Sequence, residues 1–412
     1  MILRDYQENL ALQGFQIISI LKIVYLAIEM RVGKTLIALK IAEFCNAKSV
    51  LFVTKKKAIS SIESDYTKAG FGYNITITNY EQLGKVKDGF DVVIVDEAHG
   101  LGKFPRPSLR AIELKRIVSI KKSLVILCSG TPSPETYSQL FHQFWISPYH
   151  PFKFESFYKF AHEFVNIKER IFNGLRVRDY KDADNEKIMS VLNKYFIRYS
   201  QNDAGFKQNE VRERIVRIPR SPNIDRMVRI LLKDRYYRFN DGQEIKADSA
   251  AKLQSKIHQA YSGTIRTEQN DFKVIDISKA KYILEQYRGK KIAVFYKFIG
   301  EGNVLKKTIP NWTDDPMVFN QHPDKVFICQ ILSGSMGVNL ATADVLIFYN
   351  IDFSATQYWQ ARARIQTFDR ESPPLVDWLF VEEGIESKVY EAVLKKKDYT
   401  LSYFRKDYEV EV

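Results

Sequence analysis

The stretch AIEMRVGKTLIALKIA, residues 27–42, sets Gly33, Lys34 and Thr35 between an apolar run and a segment of helical periodicity. A strand, a turn ending in glycine, and a helix together make a phosphate site. Backbone N–H groups and the positive end of the helix dipole then face the anion. In that setting Met30, Arg31, Val32 and Gly33 wrap the phosphates, Lys34 neutralises their charge, and Thr35 offers its hydroxyl to Mg2+. The simple form of such a loop has another glycine six positions before the lysine, where this chain has Ile28. An ordinary strand–turn–helix corner is the competing reading of this stretch alone.

A second stretch, DVVIVDEAHG (91–100), ends an apolar run in Asp96 and Glu97. Two carboxylates at the carboxyl edge of a parallel sheet lie where ligands of such sheets bind. Asp96 is placed to hold Mg2+, and Glu97 to orient and deprotonate an attacking water. Alone, an Asp-Glu pair at a strand end is a solvated turn; downstream of Gly-Lys-Thr it reads as the second half of a hydrolytic site.

These residues need a scaffold, and the surrounding pattern supplies one. Strands are expected over 22–28, 49–54, 73–79, 91–96 and 123–130, with helices over 34–45 and 107–118. The strand segments are β-branched and almost continuously apolar, as strands covered on both faces are, so the fold class is α/β with a parallel sheet. Residues 151–275 read as a helical, basic and aromatic region, and α/β alternation returns over 276–412, with strands at 291–298, 325–332 and 345–351. The expected organisation is therefore 1–150, 151–275 and 276–412.

Composition narrows the partners. The 412 residues carry 62 Lys plus Arg against 49 Asp plus Glu, a net charge of +13, which favours a polyanion such as nucleic acid. Nine Arg or Lys against three acids lie between 212 and 238, either a solvated helical face or a phosphate-contacting surface. The aromatics of 154–160 and 357–359 are either core or base-stacking groups. Cys45, Cys128 and Cys329 have no CxxC spacing, and the six histidines form no metal-spaced cluster. The longest apolar run, 15–28, is too short to span a bilayer and contains Lys22. The first ten residues show no signal-peptide pattern, so an intracellular, soluble, cytoplasmic protein with no membrane partner is expected.

Motifs in both α/β halves resemble the Swi/Snf-like branch of superfamily-two helicases, in the compact form of phage and viral DEAH-box enzymes. LRDYQ (3–7) resembles the glutamine motif, AIEMRVGKT the branch's ADEMGLGKT, ITNYEQL (77–83) its ITTYE, and SGTPSPETYSQLF (129–141) its TGTP motif, while DEAH (96–99) is intact. In the second half, AVFYKF (293–298), GSMGVNLATAD (334–344), QYWQARARIQ (357–366) and the tail 380–404 follow in the order of the branch.

The resemblance implies two RecA-like lobes with a mainly helical region inserted, closing on ATP and Mg2+. It implies Gln7 as adenine reader, and His99, Ser129, Thr131, Gly337 and Asn339 as coupling residues. Lys55, Lys56, Thr78, Ser333 and Ser335 are implied nucleic-acid contacts. The branch spaces its arginine fingers as Gln-x3-Arg-x2-Arg; counted from Gln357, Arg364 falls on the second finger and Ala361 on the first, so Arg362 serves only with one residue of slippage. Leu332 stands where many relatives have an arginine, Arg31 where the branch has a glycine, and Thr54 where it has a proline.

The implied function is that of an ATP-dependent DNA translocase or helicase acting on duplex or branched DNA, working in the host cytoplasm if phage-encoded and joined by a targeting or replication–recombination protein. An RNA helicase and a non-hydrolysing nucleic-acid clamp are the alternatives. A small-molecule kinase gives the downstream arginines no task. A strand-separating wedge has no candidate in 299–324, which reads as helix and loop. Residues 235–245, with a turn at Asp241-Gly242, are the remaining place for one.

Overall fold

The computed structural model describes residues 3–172, 175–205, 211–334, 338, 340, 342–351, 353, 361–362, 365 and 373–394. The chain divides into two compact units, 1–207 and 208–412.

The first unit is built on six parallel strands in the order β3-β2-β4-β5-β1-β8. These are β1 (Ile23–Ile28), β2 (Ser49–Thr54), β3 (Asn74–Asn79), β4 (Val92–Asp96), β5 (Leu124–Cys128) and β8 (Phe196–Tyr199). Strand side chains alternate between faces, so each face builds its own core. Tyr25, Leu51, Val53, Val93, Val95, Val125 and Leu127 pack on one side. Val24, Leu26, Phe52, Ile94, Ile126 and Cys128 pack on the other. Both faces are covered by helices: α1 (Asp5–Leu21), α2 (Lys34–Phe44), α3 (Ile59–Ala69), α4 (Leu109–Lys121), α5 (Leu140–Trp145), α6 (Phe157–Phe164) and α7 (Asn185–Leu192). Ser108 caps α4, its Oγ accepting from Ala111 N at 3.2 Å, which starts that helix two residues later than the periodicity alone suggests. A separate hairpin, β6 (Lys168–Phe172) with β7 (Leu175–Asp179), completes the unit.

The second unit repeats the plan with a six-stranded parallel sheet, β15-β16-β14-β17-β18-β9. Its strands are β9 (Arg212–Ile218), β14 (Ile292–Tyr296), β15 (Trp312–Thr313), β16 (Val326–Gln330), β17 (Val345–Phe348) and β18 (Leu375–Val381). Phe295, Phe327, Phe348 and Trp378 fill one face; Ile292, Val294, Ile328, Ile347 and Leu379 fill the other. Its helices are α8 (Pro222–Asp234), α9 (Ala250–Tyr261), α10 (Ser278–Gln286), α11 (Ile299–Thr308), α12 (Pro316–Gln321), α13 (Ile331–Gly334) and α14 (Ile385–Leu394). Two short hairpins, β10 (Tyr236–Arg238) with β11 (Glu244–Lys246) and β12 (Thr264–Arg266) with β13 (Phe272–Val274), join the helical side. They brace each other: Gln243 Nε2 donates to Asp271 Oδ2 at 2.8 Å, and Lys273 pairs with Asp241.

The α/β class expected from the strand pattern is the architecture observed. The separate helical region over 151–275 is not. That stretch holds α6 to α9 and also β6 to β13, and it is shared between the two units. The miss has a physical cause. RERIVRI opens on three charged residues and lacks a clean alternation; Val216 and Ile218 go to the core while Arg212, Arg214 and Arg217 are exposed, so a strand looked like a cationic face. The hairpin suggested at 235–245 forms, with Gly242 at φ +84° in its turn. Over 299–324 helix and loop are seen as expected, plus the two-residue β15 on the sheet edge.

Candidate functional site

The carboxyl edge of the first sheet gathers most of the residues singled out in the first half of the chain. Strand β1 ends at Ile28, the loop 29–33 turns through Arg31 at φ +65° and Gly33 at φ +96°, and α2 begins at Lys34. Gly33 is required here: a Cβ would sit 2.1 Å from Gln7 Nε2, on a backbone conformation that favours glycine. Arg31, which stands where the branch has a glycine, adopts the left-handed conformation that a glycine there would take without strain. Lys34 Nζ donates to Ile28 O at 2.7 Å, so the ammonium lies over the mouth of the loop.

Several residues hold this loop in shape. Gln7 Nε2 donates to Val32 O at 3.1 Å, and Tyr6 Oη donates to the same carbonyl at 3.0 Å. Gln201 Nε2 donates to Met30 O at 2.9 Å, Gln201 N to Glu29 Oε2 at 2.8 Å, and Glu29 N to Tyr199 O at 2.9 Å. Tyr6 stacks on Tyr199 with ring centroids 5.5 Å apart. Gln7 thus meets the loop 29–33 itself. Tyr6, Tyr199 and Gln201 were not singled out from sequence. Tyr6 lies inside the quoted glutamine motif, but the other two carry no local signal, because their role arises only when β8 docks beside β1.

The carboxylates sit two strands away, across β5. Thr54 Oγ1, at the end of β2, donates to Asp96 Oδ2 at 2.8 Å, and Tyr80 Oη donates to the Asp96 carbonyl. Burial and the neighbouring Glu97 charge raise the Asp96 carboxyl above its ordinary range, with Thr54 and Lys34 pulling the other way. For Glu97, burial is outweighed by the His99 hydrogen bond and by the charges of His99, Lys34 and Lys55, so its carboxyl is lowered. The pair is therefore split, with Glu97 the more firmly ionised member. Glu97 also has φ +53° and ψ +46°, a non-glycine left-handed residue of the kind found where strain serves a site.

His99, one of the expected coupling residues, lies between the DEAH and SGTP stretches. Its Nδ1 lies 3.2 Å from Glu97 Oε2 and 2.9 Å from Ser129 Oγ, and Ser129 Oγ accepts from Thr131 N at 3.1 Å. A continuous polar chain thus runs from the DEAH carboxylate to the SGTP turn. Behind it, Tyr25 Oη donates to Gln143 Oε1 at 2.6 Å, and Gln143 Nε2 donates to Pro132 O at 2.8 Å, fixing that turn from the core side.

Other expectations fare differently. Lys55 and exposed Lys56 open a short turn after β2, and Thr78 is buried on β3 beside Val53. Within the aromatic stretch at 154–160, Phe157 and Phe160 are core residues, whereas Tyr158 is exposed. Of the nine cations between 212 and 238, Arg214 forks onto Asp377 at 2.9 and 2.7 Å, and Arg220 and Arg229 both pair with Asp225. Part of that basic run is therefore internal neutralisation. Ser333 lies in α13 and Leu332 beside it is exposed. Ser335, Gly337, Asn339, the aromatics of 357–359 and Arg364 lie outside the described residues. Arg362 is described, paired with Glu213 of its own unit.

The donor set suits Mg2+ with a nucleotide. A threonine hydroxyl at the start of α2 and the Asp96 carboxylate are hard oxygen ligands. Among the described residues no group of three or more His, Cys, Asp or Glu forms a metal cage. Also among the described residues, no helix is long and apolar enough to cross a membrane.

Comparison with known proteins points the same way over short stretches. The chain is similar to chromatin-remodelling ATPases. Against the chromatin-remodelling ATPase INO80 of Candida albicans it is 24% identical over 124 residues, 30% of this chain and 8% of that protein. Against the ISWI chromatin-remodelling complex ATPases CHR17 and CHR11 of Arabidopsis thaliana it is 37% identical over 71 residues, 17% of this chain and 7% of each of theirs. The chain thus aligns to less than a tenth of the length of these relatives. No protein-family model matches it. Among solved structures, the Pyrococcus furiosus Hef helicase domain aligns with a TM-score of 0.49 and 13% identity, over 94% of this chain and 97% of that one.

Proposed function

We propose that the protein is a DNA-dependent ATPase that moves along or remodels duplex or branched DNA. The observation that carries this reading is the edge of the first sheet. There a glycine-terminated loop and helix start bring the Lys34 charge to Asp96 and Glu97, and His99 ties Glu97 to the SGTP turn. The similarity to remodelling ATPases supports the same class of activity.

In this reading the loop amides, Gly33 and Lys34 bind the triphosphate, and the aromatic and amide groups of Tyr6 and Gln7 set the loop's shape beside the base. Thr35 and Asp96 would hold Mg2+, which would supply positive charge beside the triphosphate when bound. Glu97, kept ionised, takes a proton from the attacking water. Arg364, and by the slippage reading Arg362, supply positive charge in the transition state, an effect worth about 10³–10⁵ in rate. His99, Ser129 and Thr131 pass the change at Glu97 to the SGTP turn, with Gly337 and Asn339 as their counterparts in the second unit. Lys55, Lys56, Ser333 and Ser335 contact the nucleic-acid backbone, while Thr78, buried on β3, is left out of that surface. Duplex tracking is favoured over strand separation, because the 235–245 hairpin is short and its turn is tied to the neighbouring hairpin.

The test is the ATPase rate with no nucleic acid, single-stranded DNA, duplex DNA and RNA. Stimulation by duplex DNA at least equal to that by single strands supports the reading. Stimulation by RNA alone moves the activity to RNA, and no hydrolysis under any condition makes the chain a clamp.

A further inference from the structure

The hairpin of β6 and β7 stands apart from the sheet of the first unit. Among the described residues its two strands pair with each other and join no other sheet. By register, Arg176 and Arg178 share one face, Lys168 and Val177 the other, and all four are exposed. An isolated two-stranded ribbon is marginal in water, and this one is held by its root. Val165 and Ala183 bridge there, Asn166 N donates to Asp182 O at 2.8 Å, and buried Tyr180 meets Phe157 with ring centroids 5.4 Å apart. The root is also bonded to the SGTPSPETYSQLF segment. Buried Ser138 Oγ donates to Tyr180 O at 2.6 Å, Thr136 Oγ1 donates to Lys181 O at 2.7 Å, and Lys181 Nζ lies 3.2 Å from Glu135 Oε2.

Residues 166–182 carry five Lys or Arg against three acids. Charge of either sign keeps open strands from pairing with other chains, so protection alone does not call for an excess of cations. Arg178 pairs with Glu169 and Lys168 with Asp182, and these side chains are 44–61% exposed. Pairs this wet contribute little, so an incoming phosphate displaces the acid at small cost. Arginine suits that exchange because its fork meets phosphate oxygens two at a time.

Taking nucleic acid as the partner, as the ATPase reading does, we propose that this ribbon is an arm that grips the duplex phosphate backbone through Lys168, Arg176 and Arg178 and bears on the SGTP segment through its root. The polar chain from Glu97 through His99 to Ser129 and Thr131 thereby gains a nucleic-acid input within its own unit.

The contact is tested by comparing K168A/R176A/R178A with K48A/K121A/K122A in the full chain. The second variant removes the same charge from exposed lysines at the amino edge of the first sheet, just before β2 and β5. Readouts are duplex DNA affinity between about 50 and 200 mM salt and thermal unfolding. The ribbon variant binds about tenfold or more weakly and flattens the slope of log affinity against log salt by about 2–3, since each lost phosphate contact removes about 0.9; the edge variant stays within about twofold of the parent. Equal losses in the two variants, or an unchanged slope in a folded ribbon variant, overturn the contact. If the triple ribbon variant does not fold, R176A/R178A decides, with an expected flattening of about 1–2.

The root is tested with S138A and T136V, each of which removes one hydroxyl and no charge, so that either decides if the other fails to fold. Both keep duplex affinity within about twofold and KM for ATP, while duplex-stimulated kcat falls about 3–10-fold. Parental stimulation in both overturns the link to the SGTP segment. Failure of the underlying reading is distinguishable: a parent chain that binds no nucleic acid ends that reading, whereas a parent that binds, matched by its ribbon variant, removes only the arm.

Discussion

Thr54→Val should expose how the Asp96 carboxylate is managed. Thr54 is almost fully buried at the end of β2, and valine matches its shape, so the change removes the hydroxyl that donates to Asp96 Oδ2 and little else. A hydrogen bond to a charged group contributes about 1.5–3 kcal/mol, more than one between neutral groups. For a unit of this size that corresponds to a fall in Tm of roughly 3–12 °C at alkaline pH.

The pH dependence follows from sign. Asp96 is raised in the folded protein by burial and the Glu97 charge, and Thr54 lowers it. A raised carboxyl contributes stability that is fully present below its unfolded value, near 3.9, and lost as pH rises through the folded value. Removing Thr54 raises the folded value further, so the variant loses more as pH rises, at about 1.4 kcal/mol per pH unit across the added interval. Urea or thermal unfolding of parent and variant in EDTA without nucleotide, at about pH 5 and about pH 8, measures this directly. A gap that is the same at both pH values, or below about 0.5 kcal/mol at the higher one, would refute the role given to Thr54.

Lys34→Ala should abolish hydrolysis while the fold survives, because its Nζ serves the mouth of the loop rather than the core; turnover within about threefold of the parent sinks the phosphate-site assignment. Glu97→Gln should bind ATP and DNA yet turn over slowly, and loss of ATP binding would instead mark a structural carboxylate. DNA affinity should fall steeply as salt rises and show little base preference, given the net charge of +13; a flat response between about 50 and 200 mM contradicts backbone contact.

The first sheet was legible because its strands are buried on both faces, and an unbroken apolar run such as VVIVD leaves little choice of element. The glycine-terminated turn before α2 and the acidic pair at the end of β4 were legible because each follows an unbroken apolar strand run. What escaped were the braces. Gln201, Tyr199 and Thr54 act through contacts between residues distant in sequence, and no local pattern marks a threonine as the partner of an aspartate on the next strand. Tyr80 sat in view within ITNYE, but its bond to the Asp96 carbonyl is set by how the turn after β3 reaches past β2 to the end of β4, not by spacing. The edge strands β8 and β9 were missed because both are half-exposed: β8 has only four residues, and in β9 four of seven residues are charged.

Those edge strands decide how the protein can be taken apart. A fragment ending at 150 would lack β8, and with it the Tyr199 and Gln201 contacts that hold Glu29 and Met30. A fragment starting at 276 would lack β9, leaving the flank of β18 unpaired and Trp378 Nε1 without Glu213. Dissection at either composition boundary would yield halves that are sticky along one open flank. A cut between Tyr199 and Arg212, beyond the Gln201 bonds, is the one that leaves both sheets whole, so autonomous halves for calorimetry or for mixing experiments should be made there.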